Sequence, residues 1–121
     1  MEVIRKAIKV KPEDYFNTHL EIINPLMPTK FTPMEMKVLT AFMNIEGEEV
    51  EEGRFNPYTR KIVMKELGLS AGGLGNYLRS LVKKGFLTKS KYTNNLNVSK
   101  YLIPNKEGQG YQFKVEKDET E

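Results

Sequence analysis

The sequence predicts an α+β fold: a core of three helices followed by a small antiparallel β-sheet. Three observations predict it. A residue able to cap a helix start precedes each of three apolar-periodic stretches, at Thr32, Asn56 and Ser70. Glycines close the second and third of these stretches, at Gly68 and Gly85. After Gly85 the apolar period changes from helical to alternating, interrupted by turn residues at 93–95 and 104–110.

Taken in order, residues 3–10 are β-branched and partly alternating, which predicts a short strand ended by Pro12. Residues 13–28 are ambiguous, because Tyr15, Phe16, Leu20, Ile22, Ile23, Leu26 and Met27 offer apolar surface while Pro25 and Pro28 interrupt any long helix. Thr32-Pro33-Met34-Glu35 is a capping box, and the helix it opens runs to about Ile45 with Met36, Leu39, Phe42 and Met43 on one face. An acidic loop follows, from Glu46 to Gly53. Asn56-Pro57 starts a second helix that turns Ile62, Val63 and Leu67 inward and stops at Gly68. Ser70 caps a third, with Leu74, Leu78, Leu81 and Val82 on its apolar side. Residues 86–92, 98–103 and 111–115 then read as three strands. These boundaries divide the chain into an N-terminal strand with an irregular extension (1–31), a main domain (32–117) and an acidic tail (118–121).

Composition narrows the chemistry. With no Cys and a single His19, thiol nucleophiles, thiolate zinc sites and most acid–base centres are excluded, so the sequence predicts a binding protein that is not an enzyme and needs no cofactor. No apolar run reaches the roughly 18 residues of a membrane span, and no signal peptide is visible, which fits a cytoplasmic chain. The net charge of +3 hides a strong asymmetry. Residues 54–117 hold 13 Lys and Arg against three Glu, a net of +10, whereas residues 1–53 carry −4 and the last four −3. Such a block suits a polyanion, because each neutralised phosphate releases a counterion. A solvated lysine-rich face meets the same count. The glutamates of 46–52 lack calcium-loop spacing and read as a solvated loop or a protein contact.

Two short helices joined through Gly68-Leu69-Ser70, followed by a basic hairpin, outline a winged helix-turn-helix. The segment Leu67-Gly68-Leu69-Ser70-Ala71-Gly72-Gly73-Leu74-Gly75-Asn76-Tyr77-Leu78-Arg79-Ser80-Leu81-Val82-Lys83-Lys84-Gly85-Phe86-Leu87 resembles the recognition-helix signature of MarR-type and related winged-helix proteins. The matched region covers about residues 32–103. The ending Tyr101-Leu102-Ile103-Pro104-Asn105 is loosely similar to plasmid and phage replication initiators.

The resemblance implies double-stranded DNA as partner, with the helix 70–84 in the major groove. The implied contacts are Ser70, Gly72, Gly75, Asn76, Tyr77, Arg79 and Lys83 on the helix and Lys89, Lys91, Asn94, Asn95 and Lys100 on the wing. Asn76 suits adenine, and Arg79 suits guanine or a phosphate. Gly72, Gly73 and Gly75 depart from the pattern, since related helices carry longer polar residues there. The alternative is a winged-helix adaptor that binds a protein, through the acidic loop 46–52 or residues 1–28, without reading DNA sequence. A homodimer stays open. A phage- or mobile-element-encoded regulator of transcription, or a replication-associated factor, is the favoured reading.

Overall fold

The computed structural model of the chain describes residues 6–50, 53–91, 93 and 95–118. Among these residues it has an α+β architecture of four helices and one two-stranded antiparallel sheet. Helix α1 spans Pro12–Ile23, α2 Pro33–Met43, α3 Pro57–Leu67 and α4 Ala71–Lys83; strand β1 is Leu87–Lys89 and β2 Leu96–Val98. Turns of 3-10 helix occupy Asn24–Leu26, Glu48–Val50 and Lys100–Leu102.

The three expected caps are present. Thr32 Oγ1 accepts from Glu35 N at 3.2 Å while Glu35 Oε1 accepts from Thr32 N at 2.8 Å, the reciprocal box that starts α2. Asn56 Oδ1 accepts from Thr59 N at 2.8 Å, and Ser70 Oγ from Gly73 N at 3.0 Å. Gly68 ends α3 at φ 66°, ψ 36°, a left-handed turn that glycine adopts without a Cβ penalty. Leu69 N then donates to Met64 O at 2.9 Å, and the chain re-enters a helix two residues later.

Three expectations need correction and one ambiguity is resolved. Pro12 does not end a strand; it opens α1, because its fixed φ fits a first helical position whose N–H has no partner in any case. The ambiguous stretch after it is helical, burying Phe16, His19 and Leu20 on one face, and Pro25 falls in the 3-10 turn beyond its end. Residues 6–10 of the expected first strand, and the expected last strand 111–115, form no ladder; residues 3–5 lie outside the described residues. Alternation makes a strand only where ladder hydrogen bonds form, and among the described residues neither segment makes any. The hairpin strands are also displaced. β2 begins at Leu96, and the 3-10 turn at Lys100–Leu102 replaces the rest of the expected strand, tucking Leu102 fully into the core.

One apolar core joins the four helices and the hairpin. Val38, Leu39 and Phe42 of α2 meet Val63 of α3, Leu74, Leu78 and Leu81 of α4, and Phe86 and Leu87 at the start of β1. Phe16 and Leu20 of α1 and Phe31 belong to the same cluster. Phe31 stacks on Phe86 with centroids 3.9 Å apart, pinning the entry of α2 to the exit of α4. At the same corner, Lys84 Nζ contacts Glu35 Oε1 at 2.6 Å and Lys30 O at 3.0 Å, and Ser80 Oγ donates to Glu35 Oε2. The hairpin pairs Leu87 with Val98, Thr88 with Asn97 and Lys89 with Leu96, and Ser90 N donates to Asn95 O at 2.7 Å.

The C-terminal segment returns over α1. Tyr15 donates to Asn105 O at 2.6 Å, and Tyr111 Oη lies 2.5 Å from His19 Nδ1. His19 is buried, its Nε2 has no partner among the described residues, and burial holds its pKa below the ordinary 6.5. A depressed folded pKa contributes stability that is complete above 6.5 and is lost as pH falls through the lowered value. The urea midpoint is therefore expected to drop between neutral and mildly acidic pH, and His19→Gln is expected to flatten that part of the profile. Equal pH dependence in both proteins would refute the assignment. No helix among the described residues is long and apolar enough to cross a membrane.

Candidate nucleic-acid interface

Helix α4 is amphipathic by construction. Leu74, Leu78 and Leu81 point into the core, and the same spacing leaves Ala71, Gly72, Asn76, Arg79 and Lys83 exposed, with Gly75 half-buried between them. The hairpin rises beside this free face. Between them lies an open cleft of about 600 Å³, lined by Gly75, Leu78, Arg79, Val82 and Lys83 of α4, Lys89 and Leu96 of the hairpin and Arg60 of α3. Four cations stand around it, its apolar floor is Leu78, Val82 and Leu96, and among the described residues no carboxylate lines it.

Of the sequence-predicted contacts, the cleft gathers Gly75, Arg79, Lys83 and Lys89. The others lie elsewhere. Ser70 and Gly72 are at the start of α4, where the Ser70 hydroxyl is already engaged as the cap. Asn76 is exposed, and its Oδ1 accepts a hydrogen bond from Arg79, so pairing with adenine requires that bond to open. Tyr77 is half-buried against the core. Lys91 and Asn95 are exposed near the hairpin tip, and Asn94 lies outside the described residues. Lys100, expected on a wing strand, begins the 3-10 turn instead and is exposed there.

Arg60 is the residue that sequence reasoning missed. Its Nε donates to Phe55 O at 2.9 Å, which steers the side chain, and the crossing of α3 with α4 brings it to the cleft. The sequence signal for it was only its sign within the basic block. Two other members of that block do structural work. Arg54 Nη1 caps the end of α2 by donating to the carbonyls of Phe42 at 3.0 Å, Met43 at 3.3 Å and Ile45 at 2.8 Å. Lys84 is spent on Glu35. A separate groove of about 410 Å³ bordered by α1, α2 and the end of α3 has the opposite character, with Glu13, Asp14 and Glu66 against Lys37.

A Cβ at Gly73 would crowd the capping Ser70 Oγ at 3.2 Å, but the other two glycines of α4 answer to nothing inside the chain. A Cβ at Gly72 would meet no atom within 4 Å, and one at Gly75 would touch Arg79 Nη1 at an ordinary 3.9 Å. Gly75→Ala is therefore expected to raise the unfolding free energy by about 1 kcal/mol, the helix-propensity difference. A loss of stability in urea titration would show that packing requires the glycine. Among the described residues, no group of three or more His, Cys, Asp or Glu could hold a metal ion. No family model, curated protein or solved structure matches the chain.

Proposed function

We propose that this chain is a small winged-helix DNA-binding protein that grips duplex DNA through α4 and its basic hairpin. On this reading α3 and α4 form the helix-turn-helix and the hairpin is the wing. It is not an enzyme; a phage- or mobile-element-encoded regulator of transcription, or a replication-associated factor, is the role such a domain serves. The observation that carries the proposal is the cleft beside α4, with Arg60, Arg79, Lys83 and Lys89 around it and, among the described residues, no opposing carboxylate. Concentrated positive charge attracts phosphates over a Debye length of about 8 Å at physiological salt, and each contact formed releases counterions. The acidic groove of Glu13, Asp14 and Glu66 gives the molecule a second, repelling surface, which favours one orientation on a polyanion.

Salt titration of binding to a random duplex tests this. The expected result is measurable affinity at low salt, with log K falling linearly against log salt by about 0.9 for each phosphate contacted. Negligible affinity, or a slope near zero, would refute it. One observation favours the second reading, a protein-binding adaptor: the first half of α4 presents Ala71 and Gly72 to solvent, without long side chains to reach base edges. On that reading the salt slope vanishes, and Glu49→Ala weakens partner capture.

A further inference from the structure

We propose that the cleft between α4 and the hairpin receives an unpaired nucleotide, so that the chain prefers DNA carrying an extrahelical or frayed base to unbroken duplex. This rests on the DNA-binding reading and specifies which form of DNA the same site takes. The first argument is shape. An unbroken duplex is read by elements that protrude into its groove. Here the bare backbone of Gly75 and the recessed side chains of Leu78 and Val82 make a hollow where a projecting side chain would be needed.

The second argument is chemistry. Phosphates of a paired strand can meet Arg60, Arg79, Lys83 and Lys89 at the rim, but nothing in a paired backbone complements a floor of Leu78, Val82 and Leu96. A nucleobase does, because its faces are apolar enough to be sandwiched between aliphatic side chains while its flanking phosphates stay outside. The cleft's volume of about 600 Å³ admits such a group, falling inside the range of about 300–1,000 Å³ in which small-molecule sites lie. The third argument gives the direction of the preference. Extruding a paired base costs unstacking and unpairing, whereas a bulged or frayed base has already lost them.

The experiment compares the full chain on three fluorescent DNAs of one length: a blunt duplex, the same duplex with a single bulged adenine, and the same duplex with a short overhang. The expected result is that the bulged and overhung forms bind about tenfold more tightly than the blunt one. A 2-aminopurine replacing the bulged base should change its fluorescence on binding, and Gly75→Met, which fills the hollow, should bring the affinity ratio within about twofold. Equal affinity of the parent protein for all three DNAs would overturn the inference while leaving duplex binding standing. So would a preference that Gly75→Met leaves intact, or displacement of the bulged duplex by micromolar deoxyadenosine monophosphate, which would mark a free-nucleotide site. Failure to bind any of the three at low salt would instead refute the DNA-binding reading itself.

Discussion

Glu35→Ala is expected to lower the unfolding free energy by about 3 kcal/mol, from loss of the Glu35 half of the capping box together with the charged hydrogen bonds to the half-buried Lys84 and to Ser80. Glu35 is 2% exposed, although it is the third residue of a helix whose opposite face is solvated. Its carboxylate is shared between two helices: Oε1 holds Thr32 N and Lys84 Nζ, and Oε2 accepts from the Ser80 hydroxyl. Burial by itself would raise its pKa, but the hydrogen bonds from Lys84, Ser80 and Thr32 outweigh this and hold it below the ordinary 4.5. The contribution is thus complete above 4.5 and lost as pH falls through the lowered folded value. Glu35→Gln, which keeps the cap but drops the charge, should lose less stability and show a shallower acid limb. Urea unfolding at neutral and acidic pH measures both. A change within about 0.5 kcal/mol for Glu35→Ala would mean that the corner is held by the Phe31–Phe86 stack alone.

Arg60→Ala combined with Arg79→Ala is expected to weaken duplex binding by about a hundredfold and to reduce the salt slope by about 2. Each contact of this kind contributes on the order of 1–3 kcal/mol, and the two share one cleft, so their effects need not add. Arg79→Lys separates charge from geometry: it should restore most of the slope but not the full affinity, because an ammonium cannot offer the guanidinium's paired donors. Fluorescence anisotropy against salt provides the measurement, with circular dichroism to verify that the variants are folded. Binding by the double variant within about twofold of the parent would remove α4 and α3 from the interface.

The caps at Thr32, Asn56 and Ser70 and the glycine stop at Gly68 were readable from sequence because each depends on residues at most four apart. The apolar face of α4 was readable for the same reason, through the regular spacing of Leu74, Leu78 and Leu81. What was not readable depends on distant partners. Alternation at 6–10 and 111–115 is a local property, but a ladder needs a second edge. Pro12 fits either the end of a strand or the start of a helix, and the burial of Phe16 and Leu20 against α2 decides between them. Charge counting saw the sign of Arg54, Arg60 and Lys84 equally. Only the packing of α2, α3 and α4 assigns the first to carbonyls, the second to the cleft and the third to Glu35.

The two ties of the C-terminal segment join residues 90 and 92 positions apart, far wider than the helix-to-helix contacts of the core. Leu102 is anchored in the core, so these ties hold only the short segment beyond it. The segment from Asn105 onward contributes nothing to the core cluster and is expected to open before it, which native-state hydrogen exchange would measure. Its opening is expected to expose His19, which it contacts through Tyr111, while Leu74, Leu78 and Leu81 stay packed in the core. The molecule is then a helical body with a strap fastened to α1 at Tyr15 and His19. A protease able to cut the undocked strap would sever it well before it could reach the cleft-bearing helix.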